Sequence, residues 1–410
     1  MGRRYFMANI LVGQSGGPTA VINSSLYGVI KACGYNKDKV QKTYGMINGI
    51  EGFINGNYID IDEKLSHEQI ELLKTTPGSM LGSCRYRLPS DINDGIYIKI
   101  FEKFKKMNIK YVLYIGGNDS MDTVDKLSKY AKSVNSDVSV LGIPKTIDND
   151  LPLTDHTPGF GSAAKYVATA VRDIVIDSNV YDMKAVTIVE IMGRNTGWLT
   201  ASSVLSRRFE GDNPALIYLP ETVFNERKFL EDLKVELEKR DNVVICISEG
   251  LKNEKGIILS DNIADTEVDD FGHKRLTGCG KIVEDLVKTN FNIKVRTVEL
   301  NVIQRCMASL ASLTDVNEAI ELAQYAVLKV LDKVTGKMVC YVRTNNSDYS
   351  IKFECRDVSE ICNKEKIVPE NFISGDNDIS NEFINYALPL IQGNTEVVQE
   401  NGLPKYCYIR

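Results

Sequence analysis

Short apolar runs recur along the chain, and amphipathic segments separate them. Six of these runs are continuous rather than alternating and rich in β-branched residues: ANILVG, KYVLYIGG, VSVLGIP, KAVTIVEIMG, ALIYLP and NVVICISEG. Continuous apolar runs are typical of parallel strands that are buried on both faces. The segments between them include MDTVDKLSKYAKSV and FLEDLKVELEKR, which have helical spacing and a polar face. The pattern therefore predicts strands that alternate with helices.

This alternation predicts an α/β protein with doubly wound, mostly parallel sheets. A chain of 410 residues is expected to form two interlocked lobes, at residues 1–150 and 151–335. Residues 336–410 are more polar and irregular, and we expect them to be a structured C-terminal extension. Ligands of such sheets bind beyond the carboxyl ends of the strands. The loops that follow the strands are therefore the places where chemistry is expected.

Composition narrows the class of protein. The net charge of −6 means that the surface as a whole does not favour binding of nucleic acid. No apolar run reaches the roughly 18 residues of a membrane span, and the chain does not open on a signal-peptide pattern. The nine cysteines lack CxxC spacing, and the three histidines lie far apart. This usage predicts reduced thiols and a cytoplasmic protein without a zinc or histidine metal centre.

Two glycine pairs follow predicted strands and precede predicted helices. Gly16 and Gly17 lie in SGGPTAVIN, and Gly117 lies in GGNDS. Glycines at a helix N-terminus let backbone N–H groups face an anion, although a tight turn would need them equally. In the second loop, Asp119 or Ser120 could simply cap the following helix. The patterns GxxxxGK[ST] and GxGxxG do not occur, which disfavours a P-loop or an ordinary dinucleotide-binding protein.

The turn PKTIDND places a lysine and two acids directly behind a buried strand. Its polar residues are Lys145, Thr146, Asp148, Asn149 and Asp150. One carboxylate in such a turn can accept a proton from an attacking hydroxyl, and another can help to hold Mg²⁺. A lysine beside them can neutralise charge on a leaving phosphate. The turn therefore predicts phosphoryl-transfer chemistry.

Further candidates follow other predicted strands and turns. An anionic substrate requires local positive charge in a protein that is acidic as a whole. The candidate residues are Met192, Gly193, Arg194, Glu249, Arg296, Arg305, Arg85 and Arg87.

The motifs SGGPTAVIN, LGSCR, GGNDS, PKTIDND, MGR, SEG and IQR follow one another in this order. Together they resemble the phosphofructokinase family, over residues 8–325. The resemblance implies two similar α/β lobes and transfer of a phosphoryl group to the 1-hydroxyl of fructose 6-phosphate with Mg²⁺. It also implies a homodimer or homotetramer, with no nucleic-acid or membrane partner.

The resemblance assigns roles to individual residues. The implied catalytic residues are Asp148 as the base, Lys145 and Arg194. The implied sugar-phosphate contacts are Thr146, Asp148, Met192, Gly193, Arg194, Glu249, Arg296 and Arg305. The implied contacts of the phosphoryl donor are Gly17, Arg85, Gly117, Asn118, Asp119 and Ser120. Asn118 and Asp150 are the implied magnesium ligands.

Two positions bear on the identity of the donor. ATP-using members generally have glycine where this chain has Asp119 and Lys145. A carboxylate there fills the space of the nucleotide, and two like charges about 4 Å apart repel by about 4 kcal/mol at an effective dielectric constant of about 20. Lys145 would supply a cation to the leaving phosphate. The resemblance therefore implies pyrophosphate as donor and a reaction that runs in either direction.

Some positions depart from the family pattern. Asn118 stands where an aspartate is more frequent, Ala185 where an arginine often reaches across a subunit interface, and Val302 where His or Tyr is frequent.

Three alternatives to this interpretation stay open: an ATP-dependent phosphofructokinase, a sugar-phosphate-binding regulatory subunit with little activity, and a kinase of NAD or diacylglycerol with a related GGDG turn. The last of these would lack PKTIDND and MGR together.

Overall fold

The structure is a computed structural model that describes residues 7–180, 182–262, 278–345 and 348–409. The strands are β1 (Ala8–Gln14), β2 (Val40–Met46), β3 (Tyr58–Asp60), β4 (Ile109–Gly116), β5 (Ser139–Pro144), β6 (Ala185–Ile191), β7 (Leu216–Tyr218), β8 (Asn242–Ser248), β9 (Lys294–Glu299), β10 (Lys337–Asn345), β11 (Ser350–Asp357), β12 (Ile373–Ser374), β13 (Asp378–Ile379), β14 (Gln399–Glu400) and β15 (Leu403–Pro404).

Helices alternate with these strands along most of the chain. The α-helices are α1 (Ile22–Tyr35), α2 (Gly49–Ile54), α3 (Ile61–Lys64), α4 (His67–Leu72), α5 (Gly95–Lys106), α6 (Asn118–Ser133), α7 (Phe160–Ser178), α8 (Trp198–Ala201), α9 (Glu226–Lys239), α10 (Cys279–Asn290), α11 (Leu313–Leu331) and α12 (Asn381–Ala387). Short 3₁₀ helices cover Ser202–Ser206, Leu259–Asn262, Asn301–Arg305, Ala308–Leu310, Val358–Glu360, Glu370–Phe372 and Leu388–Ile391. Among the helices of the described ranges, none is long and apolar enough to cross a membrane.

The chain divides into two compact units. The first comprises the residues up to Ser162, Arg305–Glu365 and the residues from Gly393 onward. The second comprises Ala163–Gln304 and Lys366–Gln392. We call them unit 1 and unit 2.

Unit 1 is built on a seven-stranded sheet in the order β11-β10-β5-β4-β1-β2-β3. The pairs β2–β3 and β10–β11 are antiparallel, and the other neighbours are parallel. Gly116 at the end of β4 pairs with Pro144 at the end of β5, and Ile115 pairs with Gln14 at the end of β1. Because these three strands end side by side, their following loops begin at one edge of the sheet.

Helix α11 packs against α1 although some 280 residues of chain separate them. Gly28 makes this packing close: a Cβ atom there would lie 2.4 Å from the Ile320 carbonyl oxygen and 2.9 Å from the Ala323 Cβ. Leu322, Ala323 and Val327 of α11 are fully buried in the same apolar cluster as β1 and β4. The helix is therefore part of the core of unit 1.

Unit 2 is built on a four-stranded, wholly parallel sheet in the order β7-β8-β6-β9. Its apolar core includes Ile188 on β6 and Ile245 on β8, both fully buried. Ile191 pairs with Ser248, so β6 and β8 also end side by side. The loops that begin at Met192 and Glu249 therefore start at one edge of this sheet.

The predicted α/β class with mostly parallel sheets is confirmed. The six continuous apolar runs form β1, β4, β5, β6, β7 and β8, and the two quoted amphipathic segments lie in α6 and α9. The division into units 1 and 2 differs from the approximate boundaries predicted at residues 150 and 335. Residues 151–162 belong to unit 1 because, for example, the Gly159 and Ser162 N–H groups donate to the Asp315 carboxylate of α11, at 3.0 and 2.9 Å.

Residues 336–410, which were predicted as a C-terminal extension, contribute to both units. Strands β10 and β11 extend the sheet of unit 1, whereas Lys366–Gln392 belong to unit 2. The alternating, half-exposed pattern of β11 gave no continuous apolar run to mark it as a strand.

Gly28→Ala should lower the free energy of unfolding by about 1–3 kcal/mol, because the added methyl group forces α1 away from α11. Gly34→Ala on the same helix is the matched control, since a Cβ atom there would meet nothing within 4 Å. The control should gain about 0.4–1 kcal/mol from the reduced freedom of the unfolded chain. Urea denaturation followed by circular dichroism measures both, and equal effects of the two variants would contradict the packing argument.

Candidate active site

The loops that follow β1, β4 and β5 meet at Lys145. Its Nζ donates a hydrogen bond to the Gly17 carbonyl at 2.5 Å, and its backbone N–H donates to the Gly116 carbonyl at 2.9 Å. A Cβ atom on Gly16 would lie 3.2 Å from that Nζ, and one on Gly17 would lie 3.2 Å from a guanidinium nitrogen of Arg305. Glycine at both positions therefore leaves room for the two cations.

The loop after β4 turns sharply into α6. A Cβ atom on Gly116 would lie 1.9 Å from the Ser120 Oγ, so the side chain of Ser120 occupies the space that glycine leaves. Ser120 is buried, and α6 begins at Asn118. The first N–H groups of a helix lack acceptors within the helix and favour an anion. The arrangement suits binding of a phosphate.

The PKTIDND turn is held by its own hydrogen bonds. The Asp148 N–H donates to the Thr146 Oγ1 at 3.1 Å, and the Thr157 hydroxyl donates to the Thr146 carbonyl at 2.8 Å. Asn149 lies between the two acids with φ of 54° and is fully buried. Asparagine is one of the few non-glycine residues that adopt this left-handed conformation readily. The turn thereby carries Asp148 and Asp150 on either side of a fixed residue.

Burial brings the pKa values of Lys145 and Asp148 closer together. Burial lowers the pKa of Lys145 to about 8, against the opposing pull of the Asp148 and Asp150 carboxylates. Burial also raises the pKa of Asp148, and the nearby ammonium of Lys145 opposes this shift. A carboxylate with a raised pKa is a stronger base than an ordinary aspartate. The pair can therefore accept a proton at one atom and offer positive charge at another.

Asp119 forms an ion pair that the sequence analysis did not predict. An Arg87 guanidinium nitrogen donates to the Asp119 carboxylate at 2.8 Å. Arg87 was noted among the candidates, whereas Arg85 was assigned to the donor, and both arginines are exposed. Arg87 compensates the charge of Asp119, so repulsion of a nucleotide by Asp119 is weakened. The space that the two side chains fill is therefore the stronger reason against nucleotide binding.

Asn118 makes contacts that differ from the predicted one. Its amide nitrogen donates to the Lys364 carbonyl at 2.6 Å, and its amide oxygen accepts a hydrogen bond from the Asn363 N–H. The amide is thus engaged with a distant part of the chain. This use speaks against its predicted role in binding magnesium.

The chemistry of the PKTIDND turn fits a magnesium ion better. Mg²⁺ is commonly held by one or two carboxylates together with phosphate oxygens of the substrate. Asp150 offers such a carboxylate, half-buried and near enough to Lys145 to affect its pKa. Within the described ranges, no cluster of three or more His, Cys, Asp or Glu side chains forms a metal cage.

In unit 2, the loop after β6 contacts the loop after β8. The Gly193 N–H donates to the Glu249 carboxylate at 3.2 Å, and the Met192 N–H donates to the Gln304 side-chain oxygen at 3.2 Å. Gly250 has no room for a side chain, because a Cβ atom there would lie 1.9 Å from the Arg194 carbonyl oxygen. The structure therefore brings together Met192, Gly193, Arg194 and Glu249. Gln304, one residue before Arg305 in the IQR motif, was missed.

Arg296 lies elsewhere in unit 2. It pairs with Thr187 in the β6–β9 register, whereas Met192 follows the end of β6. At about 3.3 Å per residue, these positions are about 16 Å apart along the strand direction. The Arg296 guanidinium is exposed and donates to the Thr187 Oγ1 at 3.2 Å and the Asp177 carboxylate at 3.0 Å. Within unit 2 it does not join the group around Glu249.

A network of buried charged side chains lies next to the PKTIDND turn. The two ring nitrogens of His156 lie 2.9 Å from the Asp155 carboxylate and 2.7 Å from the Glu318 carboxylate. Arg343 donates to Asp155 at 2.9 Å, and the Tyr349 hydroxyl donates to Glu318 at 2.7 Å. The segment that carries His156 continues to Gly159, which bridges to Thr146. The sequence shows this histidine without any signal for its partner on α11.

Comparison with known proteins places these residues in context. The phosphofructokinase family profile matches residues 9–330. The chain belongs to the phosphofructokinase family. The family prediction made from the seven motifs is thereby confirmed.

Individual phosphofructokinases resemble this chain over nearly its whole length. A pyrophosphate–fructose 6-phosphate 1-phosphotransferase of Halomonas elongata is 36% identical over 401 residues, covering 97% of this chain and 95% of the relative. A relative of the same name from Methylococcus capsulatus is 34% identical over 402 residues, with the same two coverages of 97% and 95%. The crystal structure of a pyrophosphate-dependent phosphofructokinase from Nitrosospira multiformis has a TM-score of 0.88 at 33% identity, covering 98% of this chain and 96% of that one.

The His156 network predicts a loss of stability at alkaline pH. Burial lowers the pKa of His156, but the Glu318 charge and the two hydrogen bonds outweigh it and raise the pKa from 6.5 to about 9. Because the folded-state pKa is the higher one, this stabilisation is complete below pH 6.5 and is lost as the pH rises through about 9. The difference corresponds to about 3 kcal/mol.

The measurement is the free energy of unfolding at several pH values between about 6 and 10. Wild-type protein should lose stability across this range, whereas His156→Gln should be less stable at neutral pH and nearly insensitive to the change. His67→Gln, at a histidine whose side chain is 83% exposed, is the matched control and should behave like wild type. An unchanged alkaline slope in His156→Gln would contradict the prediction.

Proposed function

We propose that this protein transfers a phosphoryl group reversibly from pyrophosphate to the 1-hydroxyl of fructose 6-phosphate. The products are fructose 1,6-bisphosphate and phosphate. The observation that carries the proposal is the buried Lys145 amine, 2.5 Å from the Gly17 carbonyl and within electrostatic reach of Asp148. The relatives from Halomonas elongata and Methylococcus capsulatus bear the name of this activity.

On the donor side, the first N–H groups of α6 and the Gly17 loop would hold pyrophosphate. Lys145 would neutralise the phosphate that leaves, so that it departs with less accumulated negative charge. Asp150 would hold Mg²⁺, which when bound neutralises charge on the transferred group. Gly117, directly before α6, would also contact the donor.

On the acceptor side, Asp148 would remove the proton of the 1-hydroxyl while its oxygen attacks the transferred phosphorus. The bond between that phosphorus and the bridging oxygen breaks, and the second phosphate leaves. Burial raises the pKa of Asp148, which suits it to accept the proton. In the reverse direction the same carboxyl returns the proton.

The sugar phosphate would be bound by the residues that the family pattern assigns to it. Thr146 and Arg305 belong to unit 1, and the group of Met192, Gly193, Arg194 and Glu249 belongs to unit 2. Arginine suits this task because its planar guanidinium binds phosphate oxygens in pairs. For Arg296 we propose contact with the sugar phosphate only in a homodimer or homotetramer. We also propose that the protein is located in the cytoplasm.

Donor choice would rest on two features of unit 1. The Asp119–Arg87 pair occupies space at the start of α6, and Lys145 supplies a cation where ATP-using members have glycine. Pyrophosphate lacks the adenosine that would need this space. An ATP-dependent activity is the alternative, and the donor comparison below decides between them.

The initial rate with fructose 6-phosphate and Mg²⁺ should be high with pyrophosphate and negligible with ATP at equal concentration. Asp148→Asn should lower the rate about 10²- to 10⁴-fold, because it removes the base. Asp137→Asn, at an acid whose side chain is 65% exposed, is the control and should retain the wild-type rate. Turnover with ATP alone would contradict the donor, and no turnover with either donor would contradict the activity.

The double variant Asp119→Gly with Lys145→Gly should lose pyrophosphate activity and gain use of ATP. Removal of the cation should cost about 10²- to 10³-fold in the pyrophosphate rate, by analogy with other groups that stabilise developing charge. The readout is the ratio of kcat/KM for the two donors. The double variant Arg227→Ala with Glu231→Ala, which removes an exposed ion pair of α9, is the control and should leave the ratio unchanged. An unchanged ratio of kcat/KM for the two donors in the double variant Asp119→Gly with Lys145→Gly would contradict steric exclusion of ATP.

A further inference from the structure

A C-terminal part of unit 1 lies along α6. After β11, Val358–Glu360 form a 3₁₀ helix, and Val358, Ile361 and Cys362 belong to the same apolar cluster as Met121 and Val124 of α6. These apolar contacts fix the chain up to residue 362. The next residues continue toward the N-terminal end of the helix.

Polar contacts at that end hold residues 363 and 364. The Asn118 amide nitrogen donates to the Lys364 carbonyl at 2.6 Å, and the Asn118 amide oxygen accepts from the Asn363 N–H. The Asn363 side-chain amide donates to the Asp122 carboxylate at 3.3 Å, one turn further along α6. The first residue of α6 therefore binds backbone groups of two consecutive residues in a segment that lies 245 residues further along the chain.

This contact requires an amide rather than a carboxylate at position 118. An asparagine has one acceptor and one donor group, and both are used here. An ionised aspartate could accept from the Asn363 N–H but could not donate to the Lys364 carbonyl. It would instead bring a negative charge against that carbonyl oxygen. The departure from the family's more frequent aspartate therefore has a structural reason.

We propose that Asn118 is a positioning residue for the phosphoryl donor: it fastens residues 363–365 beside the start of α6 as one wall of the donor site. The inference rests on the proposed function, because the start of α6 is where the donor phosphate would bind. Residue 365, which follows the fastened pair, is a glutamate that the sequence analysis did not assign.

The test is Asn118→Asp, because the two explanations of this residue predict opposite results. If Asn118 fastens the segment, the variant should raise the KM for pyrophosphate by about 3- to 10-fold, as expected for the loss of one exposed hydrogen bond. The KM for fructose 6-phosphate should stay within about twofold, and the Mg²⁺ requirement should not fall. If position 118 is a metal site, the added carboxylate should instead increase the rate and lower the Mg²⁺ requirement.

Two further measurements do not depend on turnover. Amide hydrogen exchange of residues 361–366 should become faster in Asn118→Asp, and calorimetric affinity for methylenediphosphonate should fall by the same factor as that for pyrophosphate. Asn135→Asp, an exposed position just beyond the other end of α6, makes the same chemical change and should alter none of these values. Unchanged exchange and unchanged affinity in Asn118→Asp would overturn the inference.

A folding defect of the variant and an error in the proposed function can each be told apart from an error in the role of Asn118. If Asn118→Asp does not fold, Asn118→Ala decides, since a methyl group can neither donate to the Lys364 carbonyl nor accept from the Asn363 N–H. It should raise the KM for pyrophosphate and leave that for fructose 6-phosphate unchanged, and equal KM values would overturn the inference. A wild-type protein that does not use pyrophosphate would overturn the proposed function first.

Discussion

The candidate donor site depends on the burial of one ammonium group. The Lys145 side chain belongs to a residue that is only 3% exposed, and burial of a charge is costly unless polar partners replace the lost water. The Gly17 carbonyl and the acids of the PKTIDND turn provide those partners. They can do so only because β1, β4 and β5 end in register. The register of three parallel strands thus sets the chemistry of the site.

The same constraint explains why a glycine pair and a lysine occur together. A glycine pair after a strand is usually attributed to the space that a bound phosphate needs. Here Gly16 also leaves room for the Lys145 amine, since a Cβ atom would approach it to 3.2 Å, and its φ of +79° suits glycine. The Gly16 loop and Lys145 therefore have to be considered as one unit, although 129 residues separate them in sequence.

The sequence predicted best what depends on local pattern. Six continuous apolar runs marked the buried strands, and the motifs that follow three of them marked the loops that meet at Lys145. Strand β11 was missed because an antiparallel edge strand alternates between half-buried and exposed residues. The pairing of Arg87 with Asp119 and the contacts of Gln304 and Glu318 were missed for another reason. Each acts through a hydrogen bond to a residue distant in sequence, and a single chain offers no local sign of such a pairing.

The neutral residue at position 118 also suits the charge of the donor site. Asp119, Asp148 and Asp150 already lie on the loops around Lys145, and each additional carboxylate would repel an anionic donor by an amount of order 1 kcal/mol or more at short range. Arg87 compensates Asp119, and Lys145 lies with Asp148 and Asp150. A further aspartate at position 118 would have no such cation among its observed hydrogen-bond partners, which are both backbone groups of residues 363 and 364. An amide satisfies these backbone groups and leaves the balance of charge unchanged.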